Sequence, residues 1–424
     1  MKLSKGYKKF LLLWSGEFVS AIGGGLSSFG LSVYVFQQTG SAASTALVTL
    51  LAFLPALVLG VPAGVLADRF DRRLMMMLGD GCSAIGLIYI LICMMHGEAA
   101  LWQICVGVTI SSMFSALLDP AYKATVTDLL TKEEYTKASG LIALAGSSRY
   151  LIAPALAGVL LAVSDIRLLL IIDISTFFFT VTVTGIVRKG LQSNQTAEQH
   201  SFFADVKDGW NVIRKQSGAI SLIVMTFFMT FALGSVQILS EPMILSFASS
   251  TTLGIAETVC ATGMLVSSLI VGIFGIKKHF VRTLCLSLFM AGACMILFGM
   301  KESILMICVF GFLFFAMLPF ANGSFDYLLR TNIPPALQGR AWGLIGLFTQ
   351  IGYVAAYGIS GLLADGAADV LKLSVGRGAA IVIIASGILM MVATTALYFM
   401  KNVRKFENTY TQRLSYAERR CVYV

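Results

Sequence analysis

Apolar runs of roughly 20 residues follow one another along the chain, separated by shorter polar segments. An α-helix needs a run of about this length to cross the hydrocarbon core of a bilayer. We expect regular helices because lipid offers no partner to a free backbone amide or carbonyl, and because the runs lack the two-residue alternation of barrel strands. The predicted spans are 10–36, 44–67, 74–95, 100–121, 138–163, 166–187, 219–246, 253–275, 281–300, 303–323, 341–363 and 379–400.

One long polar segment, residues 188–218, divides these spans into two groups of six. We therefore predict an all-α membrane protein with a six-helix bundle at 1–187, a cytoplasmic linker at 188–218, a second six-helix bundle at 219–400 and a basic cytoplasmic tail at 401–424. Apolar residues at helical spacing predict an amphipathic helix within the linker, lying on the membrane surface. They are Phe202, Val206, Trp210 and Ile213.

The composition supports a lipid environment. The 424 residues are 57% hydrophobic and 12% charged, with a mean hydropathy of +0.84, whereas a soluble domain is about 25% charged. The net charge of +9 raises the question of nucleic-acid binding. However, 26 of the 31 Lys and Arg residues fall in the segments that are cytoplasmic if the N-terminus is inside. This bias follows the positive-inside rule of membrane proteins, so we expect both termini in the cytoplasm. The same bias accounts for the net charge, so we expect no nucleic-acid partner.

Catalytic and cofactor motifs are missing from the sequence. There is no H-E-x-x-H pair, no nucleophile elbow and no G-x-x-x-x-G-K-[ST] phosphate loop. The three histidines, His96, His200 and His279, all fall in predicted loops. We therefore predict neither an enzyme nor a metal or cofactor site.

A dense charge cluster, GVLADRFDRR at 64–73, follows the second span. It matches the pattern G-x-x-x-D-R-x-G-R-R, and so resembles the signature loop between spans 2 and 3 of the major facilitator superfamily. Asp71 stands where that pattern has its second glycine. The matching residues are Gly64, Asp68, Arg69, Arg72 and Arg73.

The residue types in this loop suit a conformational latch. Gly64 allows a neighbouring helix to approach closely, and Asp68 can accept from the N-terminal amides of the next helix. The arginines can pair with acids at other helix ends, and the resemblance indicates Asp119 as the nearest such acid. Contacts of this kind form in one global state and break in another. The alternative is that the cluster only sets topology.

Span 5 carries a second resemblance. Proton-driven drug exporters of the superfamily have G-x8-G-x3-G-P-x2-G-G there, and this chain reads GLIALAGSSRYLIAPALAG at 140–158. Gly140, Pro154 and Gly158 match the pattern. Small residues allow close helix packing, and Pro154 permits a bend. Three positions of the pattern carry other residues, namely Arg149, Ala153 and Ala157.

Two stretches of the sequence resemble the macrolide-efflux branch of the twelve-span drug:proton antiporters. They are the motif ADRFDRR and the run DPAYKATVTDLLTKEEYTKASGL at 119–141. The resemblance implies two pseudo-symmetric bundles around a central cavity in a bacterial cell membrane. It also implies a monomer that exports amphiphilic, drug-like small molecules in exchange for protons. Export of a native metabolite such as a siderophore, or substrate sensing without transport, remains an alternative.

Ionisable residues inside a membrane span are costly and usually functional, and four of those in the predicted spans matter most. Glu17 is about 10 Å from the inner face at 1.5 Å per residue, and it has no cation at its depth. Arg149 in span 5 and Asp173 in span 6 come to similar depths, so we predict that they pair. Glu17, Arg149 and Asp173 are the candidates for proton coupling, with a static ion pair or a neutral buried acid as the alternative reading. Glu257 lies near the outer end of span 8.

A wide apolar and aromatic cavity suits drug-like substrates, because adaptable surfaces bind many partners. Most aromatic residues in membrane helices simply pack or face lipid, so the candidates for lining the cavity are chosen only by span. They are Trp14, Phe18, Tyr34, Met113, Phe227, Phe231 and Phe348.

Overall fold

A computed structural model describes residues 4–188, 217–276, 279–333 and 338–403. The predicted amphipathic helix of the linker, and the tail beyond residue 403, lie outside these ranges. The described residues before the linker form eight helices. They are α1 (Lys5–Thr39), α2 (Ala42–Arg69), α3 (Arg72–Met95), α4 (Leu101–Ser115), α5 (Leu118–Leu129), α6 (Lys132–Leu151), α7 (Ala153–Val163) and α8 (Ile166–Arg188).

The described residues after the linker add six helices. They are α9 (Ser217–Leu245), α10 (Ser250–Phe274), α11 (Phe280–Met300), α12 (Ile304–Asn332), α13 (Gln338–Leu371) and α14 (Val375–Phe399). Twelve helical spans in the described residues are long and apolar enough to cross a membrane, which confirms the predicted number. Large apolar side chains cover the surface of the described residues, and four of them, Val163, Ile273, Leu305 and Val370, are more than 70% exposed. Such a surface is suited to lipid.

Spans 4 and 5 differ from their predicted bounds. Span 4 runs from Leu101 to Leu129, with a break between α4 and α5, and α6 begins at Lys132. The segment predicted as a polar loop at 121–137 is therefore almost entirely helical. Its polar residues belong to helix ends that continue beyond the apolar run, which hydropathy alone does not detect. In span 5 the helix is interrupted at Ile152, two residues before Pro154, whose missing amide favours such a break.

Hydroxyl side chains begin several of the helices. Ser4, Ser41 and Ser374 each accept a hydrogen bond from a backbone amide in the first turn of the helix that follows. Thr131 and Glu134 form a reciprocal capping box at the start of α6. These caps satisfy amides that the helix itself leaves free.

The described residues form two compact units. The first contains the residues before the linker together with Ile244–Thr258, and the second contains the remainder. In the first unit α3 packs on α4 and α8, and in the second α11 packs on α12 and α14. The third span of each half thus contacts the fourth and sixth, as expected for two pseudo-symmetric six-helix bundles.

In the first unit, α1 packs along α8 and against α6 and α7. An apolar core at one end of this unit joins α1, α3, α5 and α8 through side chains that include Phe10, Met76, Val126 and Val187. The charged loop between α2 and α3 lies at this end, because α3 begins with its arginines.

Candidate functional site

The loop between α2 and α3 is organised by Asp71, the residue that departs from the family pattern. Its carboxylate accepts from the backbone amide of Arg73 at 3.0 Å and caps α3. The same carboxylate accepts from Nε of Arg188, at the end of α8, at 2.8 Å. Asp71 therefore provides a helix cap and an ion pair where the pattern has glycine.

Two arginines of the loop converge on Asp128 near the end of α5. Nη1 of Arg72 donates to one carboxylate oxygen at 2.7 Å, and Nη2 of Arg73 donates to the other at 3.3 Å. Arg73 is only 2% exposed. A buried guanidinium needs such a counter-charge, because an unpaired ion in the protein interior is very costly.

The prediction that Asp119 pairs with these arginines is not met in the described structure. Asp119 instead accepts from Lys123, one turn along α5, at 2.7 Å, and both side chains are about 70% exposed. The error follows from ending span 4 at residue 121. Because the helix continues to Leu129, the acid beside the loop is Asp128, nine residues or about 13 Å further along the helix.

Other residues of the loop motif have less defined roles. The side chain of Asp68 lies outside the described part of the structure, and Arg69 is exposed. Among the described residues, no atom lies within 4 Å of a Cβ built at Gly64. The close helix approach predicted at Gly64 is therefore not found.

Buried acids lie deeper in the first unit. Asp173 on α8 is 2% exposed, and the hydroxyl of Thr176 donates to its backbone carbonyl at 2.7 Å and approaches its carboxylate at 3.5 Å. Glu17 is half-buried on α1. A third acid, Asp80 on α3, is 3% exposed and within electrostatic range of both Glu17 and Asp173. Asp80 was not among the predicted site residues, although an aspartate inside a predicted span is a sufficient signal.

Arg149 and Asp173 do not form the predicted ion pair in the described structure, but the two charges act on each other electrostatically. Helix α1 lies against both residues through two glycines. A Cβ at Gly23 would be 2.9 Å from a carboxylate oxygen of Asp173, and one at Gly25 would be 3.2 Å from Cγ of Arg149. Matching depth along spans 5 and 6 could not reveal that α1 packs beside both of these residues.

The three matched positions of the span 5 motif are not equivalent. A Cβ at Gly158 would meet the backbone of Ser250 at 2.8 Å, so this glycine allows the first turns of α10 to pack closely within the same unit. The hydroxyl of Thr251 donates to the Gly158 carbonyl at 2.9 Å. A Cβ at Gly140 would meet no described atom within 4 Å.

The cavity candidates occupy different environments. The indole of Trp14 donates to the Leu141 carbonyl at 2.6 Å and stacks on Phe18 with ring centroids 5.3 Å apart. Tyr34 accepts from the Ala99 amide at 3.1 Å and lines a cavity of about 270 Å³ near the α3–α4 loop. Met113 on α4 is 48% exposed. On α9, Phe227 stacks on Phe231 at 6.2 Å, and Phe348 is half-buried on α13.

Helices α9 and α13 of the second unit are joined by side-chain hydrogen bonds that were not predicted. The hydroxyl of Tyr357 donates to Oε1 of Gln237 at 2.8 Å, and the hydroxyls of Ser235 and Ser360 are 2.9 Å apart. Their periodicity is that of ordinary helix faces, so nothing in the sequence separates them from other small polar residues.

Comparison with known proteins agrees with this architecture. Solved transporter structures share the fold. A bacterial homologue of the lysosomal transporter Spinster, in an inward-facing conformation, matches with a TM-score of 0.72 at 13% identity and covers 97% of this chain and 99% of its own. The nucleoside transporter NupG matches with a TM-score of 0.74 at 14% identity over 93% of this chain and 100% of its own.

Sequence relatives include two named exporters. Macrolide efflux protein A of Streptococcus pyogenes is 26% identical over 368 residues, which cover 84% of this chain and 89% of that protein. The multidrug efflux pump Tap of Mycobacterium tuberculosis is 23% identical over 392 residues, covering 86% and 88%. The family model for the Major Facilitator Superfamily matches residues 13–357. This chain is therefore a transporter of the major facilitator superfamily.

Proposed function

We propose that this transporter exports amphiphilic, drug-like compounds, macrolides among them, in exchange for protons by alternating access. The observation that carries the proposal is the cluster of acids inside the first unit, in which Asp173 is 2% exposed within a membrane span. Ionisable groups at such depth are costly and rarely retained without a function. The names of the macrolide and multidrug exporters among the relatives support the substrate class.

Glu17 and Asp173 are the groups that exchange protons, and Arg149 is the counter-charge of Asp173. An ionised Asp173 is stabilised by the guanidinium, and a proton on Asp173 removes that attraction. Because Gly23 and Gly25 of α1 lie against Asp173 and Arg149, a change in the charge of Asp173 alters how α1 packs on α6 and α8. Protonation thereby biases one packing of the bundle over another.

The loop between α2 and α3 serves as the latch of this cycle. The Arg72 and Arg73 pairs with Asp128, and the Asp71 pair with Arg188, join the ends of α3, α5 and α8. Ion pairs at helix ends can separate as a unit when the helices move. The alternative, that the loop only sets topology, requires basic residues but no acid at a fixed partner position.

We also propose that both termini lie in the cytoplasm of a bacterial cell and that the protein works as a monomer. The distribution of Lys and Arg supports this orientation. It places the α2–α3 loop and Asp128 on the inner side. A proton then enters from the outer end of α8 and leaves from the inner end of α1.

Transport in everted membrane vesicles tests the proposal. Vesicles with an acidic interior are given radiolabelled erythromycin or, separately, the cationic dye ethidium. We expect uptake that stops when nigericin collapses the pH gradient, and no such uptake in vesicles lacking the protein. Gradient-independent uptake would contradict proton coupling. Binding without uptake of either compound would instead favour a sensor, and neither binding nor uptake would favour an exporter of a native metabolite.

A further inference from the structure

Carboxyl and hydroxyl groups of α1, α3 and α8 cluster inside the first unit, and we call this cluster the polar seam. It consists of Glu17 on α1, Asp80 on α3, and Asp173, Thr176 and Thr180 on α8. Asp80 and the three α8 residues are all at most 8% exposed. Polar groups this deeply buried are retained only where they are paired or used.

Asp80 is the member of the seam that interacts with both of the other carboxyl groups. Its carboxyl interacts with the hydroxyl of Thr180 and lies within electrostatic range of Glu17 and of Asp173. Asp173 is seven residues from Thr180, which is about 10 Å along the helix axis. Thr176 fills that interval, with its hydroxyl oxygen 3.5 Å from the Asp173 carboxylate.

The threonine hydroxyls are oriented so that they can receive protons. Thr176 donates to the Asp173 carbonyl at 2.7 Å, and Thr180 donates to the Phe177 carbonyl at 2.9 Å. Each hydroxyl therefore keeps oxygen lone pairs for a protonated carboxyl. A hydroxyl that accepts one proton and releases another passes the proton on without acquiring a lasting charge.

Two buried hydroxyls lie beside the ends of the seam without partners. Ser27, 3% exposed, interacts with Asp173, and Tyr122, 5% exposed, lies within electrostatic range of Glu17. Among the described residues neither hydroxyl has a hydrogen-bond partner. Tyr122 also lines an open cavity of about 400 Å³ between α5 and α6. Orphaned buried hydroxyls are costly, so their place beside both terminal carboxyls points to a proton or water that visits them.

We propose that Asp80 carries protons between Asp173 and Glu17 during transport. The proposal rests on the proton coupling proposed above. A proton taken from outside by ionised Asp173 passes along Thr176 and Thr180 to the Asp80 carboxylate. It then passes to Glu17 and leaves past Tyr122 into cytoplasmic water. Each carboxyl returns to its carboxylate form on releasing its proton, so one proton is taken up and one is released.

A charged group acts on the carboxyl at each end of the path. Arg149 acts on Asp173 at one end, and Asp119 acts on Glu17 at the other.

Substitutions at Asp80 can distinguish a proton relay from a structural role. Substrate counterflow moves no net proton, so loss of the relay should stop gradient-driven transport but leave counterflow intact. We would compare Asp80→Asn, Asp80→Glu and the matched control Ser83→Ala in proteoliposomes loaded with radiolabelled erythromycin. Ser83 is 1% exposed on the same helix but contacts Ser115 of α4 at 3.0 Å, away from the seam. We expect Asp80→Asn to lose gradient-driven transport, to the level of empty liposomes, while keeping counterflow. Asp80→Glu should regain part of the gradient-driven rate, and Ser83→Ala should keep both activities.

Three results would overturn the relay. If Asp80→Asn kept the wild-type gradient-driven rate, the relay alone would be wrong. If it lost counterflow and gradient-driven transport equally while remaining folded, Asp80 would be a structural residue. If the wild type showed counterflow but no response to the pH gradient, the proposed proton coupling would fail, and the relay with it.

Discussion

The guanidinium of Arg73 is almost fully buried, and its Nη2 lies 3.3 Å from a carboxylate oxygen of Asp128, fifty-five residues further along the chain. This ion pair fixes the start of α3 to the end of α5. It shows that the charged loop between α2 and α3 takes its counter-charge from the last turn of span 4, beyond the apolar run that predicts the span.

Removing the carboxylate of Asp128 should destabilise the first unit. In Asp128→Asn the buried Arg73 loses its counter-charge, at a cost of about 1.5–3 kcal/mol for a charged hydrogen bond. Lys123→Gln breaks only the exposed pair with Asp119, which is worth at most about 1 kcal/mol. We expect a clearly lower Tm in detergent for Asp128→Asn, and a Tm close to wild type for Lys123→Gln. Equal Tm values for the two variants would contradict the importance of the Arg73 pair.

Asp71 should contribute both as a helix cap and as an ion-pair partner. Asp71→Ala removes both roles, whereas Asp71→Asn keeps a capping side chain and loses only the charge. Arg188→Gln removes the ion pair from the other side. Since a cap is worth about 0.5–2 kcal/mol and an exposed pair about 0.2–1 kcal/mol, chemical denaturation should rank Asp71→Ala as the least stable, with the other two similar. Similar stability for all three variants would show that the cap contributes nothing.

Hydropathy predicts the number of spans, because the bilayer sets the length of each apolar run. It does not predict where helices end, since α5 and α6 continue through the polar segment that holds Asp128 and Lys132. The residue that pairs with Arg72 and Arg73 was therefore placed nine residues too early along α5, at Asp119.

The buried acids show a second limit of the sequence. Depth along a span can be counted from residue positions, and it brings Arg149 and Asp173 to a similar level. The rotation of each helix about its own axis, and the identity of its neighbours, depend on packing. The position of Gly23 and Gly25 of α1 beside these two residues was therefore not predictable. Asp80 joins the site for the same reason, since only the packing of α3 on α8 brings it beside Thr180.

The consecutive glycines of α1 provide a test of the packing around Asp173. A Cβ at Gly23 would lie 2.6 Å from Oγ1 of Thr176 and 2.9 Å from Oδ1 of Asp173, whereas a Cβ at Gly24 would meet no described atom within 4 Å. Overpacking of this kind costs about 1–3 kcal/mol. We expect Gly23→Ala to lower the Tm and the rate of erythromycin export, and Gly24→Ala to keep both. A Gly23→Ala variant as stable and active as Gly24→Ala would refute the close approach of α1 to α8.

The span 5 motif offers a similar matched pair. A Cβ at Gly158 would collide with the backbone of Ser250, which cannot move as a side chain can, whereas a Cβ at Gly140 would meet no described atom within 4 Å. We expect Gly158→Ala to reduce export strongly and Gly140→Ala to leave it near wild type. Rates measured in the same vesicles, normalised to the amount of folded protein, would decide this. The reverse order would mean that Gly140 makes the essential approach in another state of the cycle.

Proton movement driven by the drug tests the central claim most directly. Proteoliposomes containing a trapped pH-sensitive dye are given an outward or inward erythromycin gradient at equal pH on both sides. We predict that the wild type moves protons opposite to the drug, and that Glu17→Gln and Asp173→Asn abolish this proton movement. Drug transport without any change in internal pH, in liposomes shown to hold a pH gradient, would contradict proton-coupled export.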